Sequence, residues 1–192
     1  LEPFTLVDVQ LHAGRSLHTV TQVVTIEAFA VGISAEYGRF TAASAMLETT
    51  DRLTDEFVDP NQRGFLMLVG ALRAMAEGRI PPPLVLDSFL LRTLAVSGWA
   101  PELRVCASCG ADGPHHAIDI RAGGLVCTPC RRPGAIAVRQ STIEHMIFLL
   151  AGDWENVLDA DETVMHEAGR LITDTMTWHL ERSVRSLHYV ER

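Results

Sequence analysis

The stretch CASCGADGPHHAIDIRAGGLVCTPC, residues 106–130, holds every cysteine of this 192-residue chain, in two pairs with the same internal spacing. Two residues between thiols let both sulfurs reach one ion at about 2.3 Å when the turn is tight, and two such pairs supply the four soft ligands of a tetrahedral zinc site. Cys106 and Cys109 form one pair, Cys127 and Cys130 the other, with seventeen residues between them, as paired knuckles usually have. Gly110 follows the first pair where the backbone must turn, and Gly123-Gly124 lead into the second, so a short hairpin carrying Ile118, Ile120 and Leu125 is expected between them. Three alternatives compete. Two disulfides suit a secreted chain, but no secretory leader is visible. A redox pair wants a thioredoxin-like helix N-terminus, and iron–sulfur clusters favour other spacings. One Zn2+ fits ligand type and spacing best. Because four thiolates close the coordination shell, the ion is expected to be structural, with no open position for a substrate. His115 and His116, between the knuckles, are expected to face solvent.

Outward from this segment the chain reads as mainly α. Phe4–Leu11 and Leu17–Phe29 alternate in strand fashion around the turn residues His12–Ser16, which predicts a β-hairpin. Two strands alone are marginal in water, so the hairpin is expected to be the end of a larger sheet, a small barrel whose earlier strands precede Leu1. The period then becomes helical. Ser34 is the expected N-cap of a helix burying Tyr37, Phe40, Ala43/Ser44, Leu47, Leu53 and Phe57, closed by Pro60. A second helix is expected from about Asn61 to Gly78, and a third from Leu84 to Ser97, with Ile80-Pro81-Pro82-Pro83 read as a stiff non-helical link. After the cysteines, Ser141-Thr142-Ile143-Glu144 opens a short helix to Leu150, and Gly152-Asp153-Trp154 breaks it. A long final helix starts near Asp161, with Ile172, Met176, Leu180, Val184 and Leu187 as its buried ladder.

Composition narrows the functions. A net charge of −8 argues against a surface that is basic all round, the usual mark of a nucleic-acid glove. All sixteen basic residues are arginine, each able to make paired hydrogen bonds to phosphate or carboxylate. The apolar run Gly64–Gly70 is cut by Arg73 and Glu77 well short of the ~18–20 residues of a membrane span. Since the chain opens on Leu1 without a charged leader, it is read as a piece of a longer protein. Met165-His166-Glu167 lacks a second histidine where Arg170 stands, so the zinc-protease helix is excluded. Without lysine there is no Gly-Lys phosphate loop, and there is no Gly-x-Ser-x-Gly elbow. His145, His179 and His188 share no spacing that makes a site and are expected to pack at the surface or partly buried. No enzyme emerges. Arg131 and Arg132 directly after Cys130, and Arg182 and Arg185 three apart on the last helix, are the candidate phosphate contacts.

The order hairpin, helices, paired knuckles, helices resembles the bacterial recombination mediator family RecO, in its zinc-bearing actinobacterial form. The residues carrying the likeness are Leu1–Phe4 through Val9–His12, Thr21–Val24, Tyr37-Gly38-Arg39, Gly70–Arg73, Gly98–Pro101 before Cys106-x-x-Cys109, Gly123-Gly124-x-x-Cys127-x-x-Cys130, Gly152-Asp153-Trp154, and Trp178–Arg182. The resemblance implies that residues 1–32 are the C-terminal strands of an OB-fold, 33–104 the first part of a helical domain, 105–135 a zinc knuckle insertion and 136–192 the second part of the helical domain. It further implies a non-enzymatic, cytoplasmic, nucleoid-associated role in DNA repair. Such a protein binds single- and double-stranded DNA, anneals strands, contacts RecR and the acidic C-terminal tail of the single-stranded DNA-binding protein, and helps load RecA. An acidic, Phe-ended tail needs an apolar groove rimmed by guanidinium groups, and Arg73, Arg79 and Arg92 are the expected rim, among Leu72, Leu84, Phe89 and Leu91. The competing reading is an unrelated helical regulatory or protein-interaction domain with a structural zinc knuckle.

Overall fold

The computed structural model describes residues 2–54 and 62–180. Strand β1 (Thr5–His12) pairs antiparallel with β2 (Thr19–Ala28), Val9 opposite Val23, with register irregularities after Leu6 and Gln10. The base of this hairpin is anchored. Phe4 takes a left-handed φ of 58°, rare for a bulky residue, and the turn carries its ring into the core edge-on to Phe40. The Phe29 N–H donates to the Phe4 carbonyl at 3.0 Å, and the Phe29 ring is also buried. Beyond that base the strands stand in solvent: Val9, Leu11, Val20, Val23, Val24 and Ile26 are all exposed.

Among the described residues, five longer helices and two short ones build the helical body. Helix α1 (Ala30–Ser34) is followed by α2 (Tyr37–Thr54), α3 (Gln62–Glu77), α4 (Pro82–Val96), α5 (Gln140–Ala151), α6 (Trp154–Leu158) and α7 (Glu162–His179). Helix α4 is the axis. Leu84, Val85, Leu86, Phe89, Leu90, Leu91 and Leu94 are all buried, so it is apolar around most of its circumference, as a helix surrounded by neighbours must be. It packs against α2, α3, α5 and α7. Pro82 and Pro83 lie in its first turn, contrary to the expectation of a non-helical link; the first-turn N–H groups have no helical acceptor, so proline loses nothing there.

Helix α2 departs from expectation in two respects. Ser34 closes α1 and does not cap α2, which begins at Tyr37. Tyr37 and Phe40 are exposed, and the buried face is Ala42, Ala43, Ala45, Met46, Thr49 and Leu53. Small side chains let α2 come close to α4, and the Thr49 hydroxyl donates to the Ala45 carbonyl, so it enters the core satisfied. Phe57, Pro60 and Asn61 lie outside the described residues. The second half follows its reading more closely. Gly152, at φ 76°, ends α5, Asp153 caps α6 through the Asn156 N–H, and Asp161 caps α7 through the Val164 N–H. Ile172, Met176 and Leu180 are buried as expected, while Val184 and Leu187 lie outside the described residues. Helix α5 starts at Gln140 without a side-chain cap, so the Ser141–Glu144 signature sits inside its first turn.

Candidate metal centre

Between α4 and α5 the chain forms a separate small module. Strand β3 (Ala117–Asp119) is flanked by β4 (Gly124–Leu125) and β5 (Ile136–Ala137), both antiparallel to it. The hairpin expected between the knuckles is therefore present. Gly123 and Gly124 make it possible: both have positive φ, 87° and 149°, and a Cβ on Gly124 would lie 2.3 Å from the Glu102 carbonyl oxygen. That close approach lets the Leu125 N–H donate to the Glu102 carbonyl at 2.9 Å, which ties the segment entering the first knuckle to the segment entering the second. Ile118, Leu125, Leu103 and Val138 sink into the main core, so the module is welded to the helical body.

The four cysteines converge above this sheet. Their sulfurs all lie within 4.8 Å of one another, Cys109 and Cys127 at 3.7 Å. A tetrahedron with metal–sulfur bonds of 2.3 Å separates its vertices by about 3.8 Å, so the spacing suits one ion, and no two sulfurs are joined as a disulfide. Each knuckle is a tight turn, with the Gly110 N–H donating to the Cys106 carbonyl at 2.8 Å and the Cys130 N–H to the Cys127 carbonyl at 3.0 Å. Backbone N–H groups also point at sulfur. The Cys127 N–H lies 3.4 Å from Cys106 Sγ and leads the donors, with Cys109 and Ser108 behind it, that lower the Cys106 thiol to about 6. Cys130, crowded first by the Cys127 and then by the Cys109 thiol, is pushed up to about 12. Four thiols this close cannot all ionise without a cation between them, and the donor set is all sulfur, as a thiophilic ion requires.

His115 is buried and not solvent-facing as expected. Its Nε2–H donates to the Ala111 carbonyl at 2.9 Å, so the ring props the first knuckle from beneath, while His116 is exposed. His145 also departs from expectation: it is buried on α5, and neither ring nitrogen has a partner among the described residues.

The candidate arginines are scattered. Arg131 and Arg132 are exposed beside the second knuckle, and Arg182 and Arg185 lie outside the described residues. Arg73 on α3 grips the Glu27 carboxylate of β2 and lies over the Phe29 ring, 5.9 Å from its centroid. Arg92 on α4 donates from Nε to the Leu150 carbonyl at 3.2 Å, at the C-terminal end of α5 where a cation is favoured. Arg79 is largely exposed, 3.7 Å from Glu77. Leu72, Leu84, Phe89 and Leu91 are in the core.

One feature was not foreseen from the sequence. A groove of about 920 Å³ runs between the module and α7, lined by Arg121, Pro133, Gly134 and Ile136 on one side and Asp174 and Trp178 on the other. Within it the Arg121 guanidinium lies over the Trp178 ring at 5.5 Å, and next to it His179 stacks on Trp99, centroids 4.9 Å apart and planes within 6°. The walls of the groove come from three separated segments, and Trp99, Trp178 and His179 had drawn notice only one by one, as parts of a resemblance or as a histidine without a site.

The fold and site together define a helical domain carrying a four-thiolate clasp, with function left to its outer surfaces. Residues 34–188 match the family described as Recombination protein O C terminal. The whole chain is 48% identical to the DNA repair protein RecO of Thermobifida fusca and 47% identical to that of Frankia casuarinae, covering 79% of each, and 47% identical to that of Nocardioides sp., covering 80%. The chain belongs to the RecO family, and its relatives carry the role of DNA repair proteins. Among the described residues, no helix is long and apolar enough to cross a membrane.

Proposed function

We propose that this chain is part of a non-enzymatic recombination mediator of the cytoplasm, associated with the nucleoid, that binds and anneals DNA and, with RecR and the single-stranded DNA-binding protein, helps load RecA. Similarity to DNA repair proteins running through the entire chain carries this reading, and it displaces the reading of an unrelated regulatory domain. In this proposal the hairpin is the closing part of an OB barrel, which accounts for apolar side chains standing exposed on both of its faces. Cys106, Cys109, Cys127 and Cys130 hold one Zn2+, whose contribution is to fix the two knuckle turns and the small sheet beneath them. Arg131, Arg132, Arg182 and Arg185 supply phosphate contacts.

The experiment is annealing of complementary oligonucleotides by the full chain over a salt series. Affinity falling steeply with salt, together with faster annealing, is the expected outcome, because phosphate contacts release counterions. Salt-independent binding, or none, overturns the reading. Recruitment of an acidic tail by Arg73, Arg79 and Arg92 is the finer part of the proposal. Arg73 would have to exchange Glu27 for a peptide carboxylate, so Glu27→Gln should tighten tail-peptide binding while Arg73→Ala weakens it. Unchanged affinity in Arg73→Ala, Arg79→Ala and Arg92→Ala alike rejects that site.

A further inference from the structure

We infer that the groove between the cysteine module and α7 takes an unpaired base of single-stranded DNA, stacked on Trp178, with Arg121 meeting the adjoining phosphate. This rests on the DNA-binding reading above and names a place for it.

Trp178 is 51% exposed, an unusual position for an indole, which normally contributes more to stability inside than in water. Its exposed ring is covered by a guanidinium from a different part of the chain. Arg121 is itself exposed, on the turn that follows β3, and it takes part in none of the ion pairs among the described residues. The Asp119 carboxylate accepts the Arg121 and Ala122 N–H groups at 3.0 and 3.4 Å, so it fixes the turn and not the side chain. A flat aromatic face with a cation beside it is the arrangement single-strand binders use, since every base has a π-face and every nucleotide carries a phosphate. A base takes the place of the guanidinium on the indole, and the freed cation moves to the backbone.

The flanks favour nucleic acid over an acidic peptide. Arg131 and Arg132 immediately precede the wall residues Pro133 and Gly134, so positive charge borders the groove on the module side. The opposite wall carries Asp174, exposed on α7. A carboxylate there repels an acidic tail, whereas the amino and imino edge of a base can donate to it. Neighbouring Trp99 and His179, already stacked on each other, hold the end of α7 against the segment that enters the first knuckle, so the platform is rigid. The cysteine clasp acquires a second consequence: the module it stiffens is one wall of this groove.

The test uses the metal-loaded full chain with Trp178→Ala, Trp178→Phe and Arg121→Ala. Affinity is measured for an oligo-dT strand, for a duplex of equal length and for an acidic Phe-ended peptide, with melting curves as a check on folding. Trp178→Ala is expected to weaken oligo-dT binding by about tenfold, Trp178→Phe by less, and neither to change duplex or peptide affinity. Replacement of thymine by 5-iodouracil is expected to give a photo-crosslink at Trp178 in the unsubstituted protein. Oligo-dT bound equally well by a stably folded Trp178→Ala, without a crosslink, overturns the groove assignment and leaves the DNA-binding reading standing. Failure of the unsubstituted chain to bind oligo-dT or duplex sinks both. Peptide affinity lost with Trp178 gives the groove to an acidic partner instead.

Discussion

Arg73 on α3 donates two hydrogen bonds, of 3.0 and 2.6 Å, to the Glu27 carboxylate on β2, joining the exposed part of the hairpin to the helical body. Beside this pair, buried Phe4 and Phe29 and partly buried Leu6 hold the hairpin base, so the tie governs how firmly the strands are oriented and much less whether the helices fold.

The pair makes that orientation pH-dependent. The hydrogen bond from Arg73, reinforced by its charge, holds the Glu27 carboxyl below its ordinary value of 4.5. A carboxyl depressed in the folded state contributes stability that is fully present above its unfolded value and disappears as pH falls through the folded one. Amide exchange in β1 and β2 should therefore accelerate on acidification below the usual carboxylate range. Glu27→Gln should reproduce that acceleration several-fold at neutral pH, with the global melting midpoint nearly unchanged. Equal protection in both proteins would show that the tie does nothing.

Removal of the metal should act locally. Chelation is expected to release one zinc per chain and expose four titratable thiols, with residues 103–138 losing amide protection while helical circular dichroism persists, because most of the main core comes from α2, α3, α4, α5 and α7 and only Leu103, Ile118, Leu125 and Val138 of its fully buried residues from the module. Cys106→Ser, which removes the most buried ligand, should give the same pattern without a chelator. Melting of the whole body along with the module would contradict this division.

Gly124→Ala should damage the module even with all cysteines intact. Its φ of 149° suits glycine, and the new methyl group would meet backbone atoms of Glu102, which cannot swing aside. A loss of at least about 1 kcal/mol and a weaker grip on metal are expected, measured by unfolding and by competition with a chelating dye. Gly110→Ala offers the contrast: its φ of 73° is strained for alanine, but the space is open, so the effect should be smaller.

His145 is the buried group whose replacement should help. Its imidazole is out of water with neither nitrogen paired among the described residues, and burial lowers its proton affinity. With a depressed folded value the sign is that of a cost: as pH falls below 6.5 the unfolded chain takes up a proton that the folded chain refuses, so stability declines. His145→Leu should add about 1 kcal/mol at neutral pH and flatten the decline between pH 6.5 and 5, read from urea midpoints. An unchanged acid slope would show that the ring is already solvated.

The parts legible in the sequence were those set by local chemistry. Cysteine spacing gave the clasp, alternation gave the hairpin, and the i, i+4 series of Ile172, Met176 and Leu180 gave the face of α7. Helix α2 misled because its aromatic residues looked like anchors, whereas its buried face is made mostly of small residues, Ala42, Ala43, Ala45 and Thr49, which suit close packing against its neighbours. Pro82 and Pro83 misled because a residue barred from helix interiors is welcome in a first turn. His115 looked solvent-facing, and His145 at most partly buried, because nothing local to them reveals which neighbours cover them. The groove beside Trp178 was illegible for the same reason, since its walls come from residues 119–121, 133–136 and 174–179, and only the packing of the module against α7 brings them together.

The all-round burial of α4 also bears on how the protein is made. Its partners α2 and α3 lie earlier in the chain and α5 and α7 later, with the cysteine module between. During synthesis this helix leaves the ribosome with the surface that α5 and α7 will cover unmatched, and part of it stays so until about eighty further residues have been added. Nascent chains stalled within the module should therefore attract chaperones, and the body should close only once α7 has emerged.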